Sequence, residues 1–240
     1  MSDTAFGNRL IVAALILAVA LVGGGWLLGD GLRRARLADR SVTVRGLAER
    51  DVTADLATWT VAFSETGTEL GPLQAAIDQK SDAVRGFFAR AGFPADAVSD
   101  TGASVSQFFD SNRQTNVVTV RRRLQLRTAD VMRARAAYAR QAALIRAGVP
   151  LEEGSGIVYS FTRLNAIKPR MIAESTKNAR SSAEQFAEDS GADVGGIKSA
   201  TQGYFSIGAR DGDADGAGEG GGDSPFQKVR VVTTIEFYLR

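Results

Sequence analysis

Twenty consecutive residues near the N-terminus, from Leu10 to Gly29, carry no charged side chain. As a helix rising about 1.5 Å per residue, this run would be about 30 Å long, which matches the hydrocarbon core of a bilayer. A cleavable signal has a shorter apolar core of about 7–15 residues followed by a small-x-small site, whereas this run ends in Trp26-Leu27-Leu28. We therefore predict a transmembrane helix over residues 10–29, retained as an anchor in the lipid bilayer, after a short tail over residues 1–9.

The charges beside this segment bear on its orientation. The N-terminal side carries Arg9, whereas residues 30–40 form a basic stalk that contains four arginines: Arg33, Arg34, Arg36 and Arg40. The positive-inside rule alone favours a cytoplasmic location for the stalk and all that follows it. That rule applies to short loops, and long domains translocate despite such charges. The flanking charges therefore leave the side of the membrane open.

The chain contains no cysteine and no histidine. Their absence excludes disulfides, cysteine nucleophiles, Ser-His-Asp triads and histidine-ligated metal centres. The net charge is only +2, and no nucleic-acid-binding motif accompanies the 24 arginines and 5 lysines. We predict no catalytic residues, no cofactor and no nucleic-acid partner.

Hydrophobic periodicity divides the rest of the chain into strands and helices. The predicted strands cover residues 41–47, 52–64, 97–108, 115–126, 156–161, 197–207 and 228–239. The predicted helices run from between Thr68 and Pro72 to Gly92, over residues 128–147 and over residues 165–190. The order β, β, α, β, β, α, β, α, β, β indicates an α+β fold, with helices packed on a mostly antiparallel sheet or on two related sheets.

The last predicted helix has a series of small side chains. They are Ala173, Ala179, Ala183 and Ala187. Small residues at such spacing allow a helix to approach a neighbouring element closely. We interpret this series as a packing face.

Three arginines in succession, Arg121 to Arg123, fall in a predicted strand. Side chains alternate along a strand, so two of them share one face and the third lies on the other. A solvated strand, an ion pair at a subunit interface and a phosphate-binding patch all remain open.

Paired carboxylates are the other candidates for chemistry. The pairs are Asp51 with Asp55, Glu152 with Glu153, and Glu188 with Asp189. Asp51 and Asp55 could share a strand face and serve acid–base chemistry. No nucleophile accompanies them in the sequence, and we interpret all three pairs as solvated surface.

Residues 208–225 form an acidic, glycine-rich segment. Asp211, Asp213, Asp215 and Gly216 match positions 1, 3, 5 and 6 of a calcium-binding loop. Position 12 of that loop needs a bidentate glutamate and is Gly222 here. We predict a flexible loop and no metal site, and a weak calcium site remains the alternative.

Four segments together resemble the SIMPL-domain proteins, a bacterial cell-envelope family. They are Val42–Gly67, Ser155–Asn165, Ser190–Ala200 and Val229–Leu239. The resemblance extends over nearly all of residues 41–240, which we therefore assign to one SIMPL-like domain containing the loop at 208–225.

The resemblance implies more than composition shows. It implies an α+β domain in the periplasm or on the outer envelope, a non-enzymatic character, homo-oligomeric rings and a link to oxidative-stress defence. We therefore expect a single-pass protein of the bacterial inner membrane with a periplasmic, self-assembling domain. The alternative is a binding or signalling adaptor for another envelope protein.

Overall fold

The predicted α+β class is confirmed, and of the two arrangements that the sequence left open the structure has two sheets. The computed structural model describes residues 18, 21–29, 40–112, 114–211 and 222–240. Its elements are β1 (Ser41–Thr53), β2 (Leu56–Gly67), α1 (Leu70–Arg90), a 3₁₀ turn (Ala95–Ala97), β3 (Val98–Asp110), β4 (Thr115–Thr128), α2 (Val131–Tyr138), α3 (Ala142–Arg146), β5 (Gly156–Ser160), α4 (Leu164–Ser190), β6 (Val194–Ala209) and β7 (Phe226–Leu239). The strand orders are β1-β7-β6 in one sheet and β3-β4-β2-β5 in the other.

The chain forms two compact units. Of the described residues, the first unit comprises those up to Ala48, those of Ile172–Tyr204 and those of Val232–Arg240, and the second comprises those of Glu49–Met171 and Phe205–Val231. In the first unit, Ala179 and Ala183 of α4 pack against apolar side chains of β1 and β7, among them Val42, Ile235 and Phe237. The alternation of β7 predicts this burial, because every second residue of a strand faces the same side.

Helix α4 packs with a stripe of small side chains spaced four residues apart. Ser175, Ala179, Ala183 and Ala187 are all almost completely buried. The prediction for Ala173 is wrong: it is exposed, because it lies two positions from Ser175 and so faces away from the stripe. The Ser175 and Thr233 hydroxyl oxygens are 2.7 Å apart, and their hydrogen bond satisfies both buried groups.

The second unit covers one face of its four-stranded sheet with α1, α2 and α3. Strands β2 and β4 pair at its centre, β3 pairs with β4 at one edge and β5 pairs with β2 at the other. All three pairs are antiparallel. Trp59 of β2 lies under the helices, with its ring 5.0 Å from that of Phe88 and 5.1 Å from that of Tyr138, both edge-on. The other face of this sheet carries Phe108 of β3 and Arg121 and Arg123 of β4.

The helix predicted over residues 128–147 is divided into α2 and α3. Between them, Arg140 N–H and Gln141 N–H donate to the carbonyl oxygens three residues earlier, so the chain tightens into turns. Asp130, not the predicted Thr128, caps the first helix by accepting from Arg133 N–H. The Thr128 hydroxyl instead accepts from Asp130 N–H and supports the turn before the cap.

The segment proposed as an anchor lies only partly within the described residues. Residues 21–29 are helical, and their large apolar side chains are exposed: Leu21, Val22, Trp26, Leu27 and Leu28. Within the part of the chain that the structure describes, no helix has the length and apolar character needed to span a bilayer. Residues 10–17, 19 and 20 of the predicted anchor, and residues 30–39 of the stalk, are outside it.

The acidic segment begins and ends in hydrogen-bonded structure. Strand β6 extends to Ala209 and β7 begins at Phe226, so the connection is shorter than predicted. Gly222 exchanges two backbone hydrogen bonds of 3.1 Å with Tyr159, and Pro225 O accepts from Ala54 N–H at 2.8 Å. The predicted loop between these ends, including Asp213, Asp215 and Gly216, falls outside the described residues.

Candidate interaction surface

Strand β3 forms one edge of the four-stranded sheet and is exposed along most of its length. Among the described residues it pairs only with β4, from Val98 opposite Leu126 to Asp110 opposite Thr115. An edge strand presents a row of unpaired backbone N–H and C=O groups on its outer side. This edge is therefore able to accept a further strand.

Both faces of β3 carry exposed apolar side chains. Val105, Phe108 and Phe109 are 55%, 58% and 58% exposed. Val105 lies opposite Val120 on the helix-covered side, and Phe108 lies opposite Val117 on the other. Apolar surface displayed along a pairing-competent edge is typical of an interaction site.

The middle of the edge lacks the features that usually prevent edge-to-edge association. Natural edge strands are protected by charged residues, proline or pronounced bulges in the strand. Residues 101–109 of β3 contain neither charge nor proline. The one irregularity in register lies near the start of the strand, between Asp100 and Gly102.

The three successive arginines of β4 alternate as predicted. Arg122 faces the helices, where its guanidinium donates to Asp78 at 2.6 Å and to Ser81 Oγ at 3.1 Å. Its buried Nε makes no hydrogen bond within the described chain, but lies 3.6 Å from a carboxylate oxygen of Asp100. Arg122 therefore links α1 to the sheet through its ion pair with Asp78. This pair lies within one chain and not at a subunit interface.

Arg121 and Arg123 lie on the open face. Arg121 Nε donates to Glu152 at 2.8 Å, and the same carboxylate accepts from the Ser64 hydroxyl. The Ser64 hydrogen bond, with help from the Arg121 charge, holds the pKa of Glu152 below its usual value although burial opposes it. Glu152 therefore remains ionised and fixes the position of Arg121.

Asp55 has a structural role and does not pair with Asp51. One carboxylate oxygen accepts from the backbone N–H and the hydroxyl of Thr162, at 2.8 and 2.9 Å, and the other accepts from Arg163 at 2.8 Å. Burial raises the pKa of Asp55, but these hydrogen bonds outweigh it and leave the pKa below its usual value. The geometry holds an ionised carboxylate where the chain enters α4, and acid–base chemistry by the Asp51/Asp55 pair is not supported.

We expect Asp55→Asn to lower the free energy of unfolding by about 1–2 kcal/mol at pH 7, because the amide loses the charge-assisted bond to Arg163. The folded pKa of Asp55 is lowered, so its stabilisation is present above the unfolded pKa and is lost as the pH falls through the folded pKa. Urea unfolding at pH 7 and at about pH 3 should therefore show the difference from wild type narrowing in acid. Exposed Asp82→Asn is the control, and an Asp55→Asn deficit that does not change with pH would refute this role.

No described group of acidic side chains is placed to hold a metal ion. Asp211, the first residue of the calcium-like pattern, is paired with Arg210 at 3.0 Å. Glu188 and Asp189 are exposed at the end of α4. The described carboxylates thus take part in ion pairs or lie at the surface.

The sequence reasoning missed Val105, Phe108 and Phe109 as surface residues. A signal was present in the adjacent pair of phenylalanines. Neighbouring residues of a strand point to opposite faces, so a sheet covered on one side cannot bury both rings.

The comparison with protein families agrees with the architecture. The family model SIMPL, described as a protein of unknown function (DUF541), matches residues 42–237. The chain belongs to the SIMPL family. The match includes every strand of both sheets apart from the outermost residues of β1 and β7. No curated protein matches this SIMPL chain.

Proposed function

We propose that this SIMPL protein is a non-enzymatic, self-assembling module of the bacterial envelope, anchored in the inner membrane with its folded part in the periplasm. The observation that carries the proposal is the open β3 edge with Val105, Phe108 and Phe109 more than half exposed. Pairing with an edge strand of a second copy would satisfy backbone groups and bury apolar surface together. Strand β6, at an edge of the other sheet, is also largely exposed and offers a second surface.

Anchoring is supported by the helical residues 21–29. Their exposed apolar side chains include Trp26, which is 71% exposed. Leucine, valine and tryptophan side chains displayed around a helix are suited to lipid and to the membrane interface. Together with the charge-free residues 10–20 before them, they support the proposed anchor over residues 10–29.

The periplasmic location is testable by a topology fusion. A C-terminal reporter that is active only outside the cytoplasm should be active in cells making the full chain. If a second reporter, which works only in the cytoplasm, were active instead, the basic stalk would set the orientation. A contribution to envelope or oxidative-stress defence is the physiological part of this proposal.

We expect the double substitution Phe108→Lys/Phe109→Lys to weaken self-association at least about tenfold, because it removes exposed apolar surface and places like charges on the paired edge. Light scattering of the purified full chain in mild detergent, corrected for bound detergent, would report the polypeptide mass over a range of concentrations. The variant should dissociate at concentrations at which wild type remains assembled.

A matched control is available on the helical side of the same unit. Met132 and Ile145 are 49% and 57% exposed, and Met132→Lys/Ile145→Lys removes similar apolar surface from α2 and α3. The control should keep the wild-type mass. Equal dissociation of the two variants would argue against β3 as the interface. The adaptor function would be favoured if the wild type were monomeric and its β3 edge bound a different envelope protein.

A further inference from the structure

The open face of β4 presents a row of arginines, separate from the apolar side chains of β3 that are proposed for self-assembly. Arg121, Arg123 and Arg127 are exposed and point to the same side, because strand side chains alternate. Successive positions on one face of a strand are about 6.6–6.8 Å apart. Arg121 and Arg123 are therefore neighbours on this face. Gln125 follows them, and Arg127 comes after it.

Small neighbours leave room around these guanidinium groups. Arg123 lies opposite Ala62 on one side and Gly102 on the other. A side chain built on Gly102 would meet nothing within 4 Å. Arg121 lies opposite Ser64, whose hydroxyl donates to Glu152, and opposite exposed Ser104, whose hydroxyl adds to the same surface.

Two depressions meet at Arg121 and Arg123. One, of about 540 Å³, is lined also by Glu152, Glu153 and Gly154. The other, of about 180 Å³, is lined also by Gly102, Ala103 and Ser104. Because the two share both arginines, they form one furrow across β4, with carboxylates on the β2 side and only small or hydroxyl-bearing residues on the β3 side.

The two shared arginines differ in their partners. Arg121 is held in place by Glu152, as described above. The Arg123 guanidinium has no hydrogen-bond or ion-pair partner within the described part of the chain. Guanidinium groups present several N–H donors in a planar fork that suits the oxygen atoms of phosphate, sulfate and carboxylate groups. The carboxylate-free β3 side of the furrow therefore suits an oxyanion.

The surroundings favour a sugar-based ligand over the other common polyanions. Single-stranded nucleic acid is bound by stacking its bases on aromatic side chains, and the described lining residues include none. A membrane-binding face needs apolar side chains that enter the headgroup region, whereas this furrow is lined by charged, hydroxyl and very small residues. The exposed Ser104 hydroxyl beside the two arginines suits a polyhydroxyl chain.

We propose that the open face of β4, from this furrow along to Arg127, binds an anionic polysaccharide, with oxyanion groups on Arg123 and Arg127 and a sugar hydroxyl on Ser104. Binding is electrostatic in its main part and weakens as salt is added. The arginines of the site are on β4, whereas the apolar side chains proposed for self-assembly are on β3, so different substitutions test the two proposals.

The test measures binding of a heparin oligosaccharide to the full chain in uncharged detergent by titration calorimetry. Arg123→Gln/Arg127→Gln should weaken binding at least about tenfold while leaving the assembled mass unchanged. The control Arg85→Gln/Arg90→Gln removes two exposed arginines from α1 and should bind as wild type does.

Three further probes separate the ligand classes. Neutral dextran should not bind, and inorganic polyphosphate and vesicles containing phosphatidylglycerol should bind more weakly than heparin and without the same dependence on Arg123 and Arg127. The proposal is overturned if both arginine variants lose binding equally, if dextran competes with heparin, or if polyphosphate or the vesicles bind as well as heparin through Arg123 and Arg127.

Discussion

Gly46→Ala should destabilise the first unit by about 3 kcal/mol, the cost of forcing an extra methyl group into a tightly packed contact. A β carbon on Gly46 would overlap the carbonyl oxygen of Ser175 and lie 2.6 Å from the backbone nitrogen of Ala179. Both neighbours are helix backbone atoms, so no side chain can rotate to make room. Strand β1 must therefore move away from α4, and the packing of Ala179 and Ala183 is lost with it. Urea unfolding followed by circular dichroism would measure the loss.

The matched control is Gly196→Ala in β6 of the same unit. A side chain there would meet nothing within 4 Å, and the backbone is not in the left-handed region. We expect the free energy of unfolding to change by no more than about 0.5 kcal/mol, or to rise slightly because alanine reduces the conformational freedom of the unfolded chain. If Gly46→Ala were tolerated as well as Gly196→Ala, the close approach of β1 to α4 would be wrong.

Trp59→Ala should lower the free energy of unfolding by about 3–5 kcal/mol, the range for removing a large buried aromatic side chain. Trp59 is 1% exposed and makes edge-on contacts with Phe87, Phe88 and Tyr138 at 5.8, 5.0 and 5.1 Å between ring centroids. Truncation leaves a cavity at the point where β2 meets both α1 and α2. Circular dichroism is the suitable signal, because the substitution removes one of only two tryptophans.

Tyr204→Ala provides the comparison, since Tyr204 is 93% exposed. It should change stability by no more than about 0.5 kcal/mol. A loss of less than about 1 kcal/mol in Trp59→Ala would mean that the Trp59 site can collapse, contrary to the dense packing described for the second unit.

Periodicity predicted much of the fold because it reports on local burial. In β7 the predicted alternation is seen directly: Val229, Val231, Thr233, Ile235 and Phe237 are all buried. In α4 the small-residue series predicted a packing face, with Ser175 in place of Ala173. The connection between β3 and β4 also lies between the two predicted strands, and α1 begins at Leu70, between Thr68 and Pro72 as predicted.

The division into two sheets and the identity of the edge strands could not be predicted in this way. They depend on pairing between distant segments, such as β2 with β4 and β5. Asp55 and Thr162 are 107 residues apart, and nothing local to either indicates their contact. A strand at an edge and a strand at the centre can have the same alternation, so the residue pattern of β3 alone does not show that it lies at an edge.

The Arg121–Arg123 run shows both the reach and the limit of sequence reasoning. Alternation correctly placed one arginine opposite the other two. The partners of Arg122 and Arg121 could not be predicted, because Asp78 is in α1 and Glu152 is in the loop before β5, both distant in sequence from the arginines. Only the folded arrangement shows that Arg122 and Arg121 are paired and that Arg123 offers its donors to solvent.

The central claim is self-assembly, and the polypeptide mass of the wild-type full chain in mild detergent tests it most directly. The protomer has a mass of 25.4 kDa. We expect a mass of two or more protomers at micromolar concentration, reduced by Phe108→Lys/Phe109→Lys and not by Met132→Lys/Ile145→Lys. A wild-type polypeptide mass of one protomer at the same concentration would contradict it.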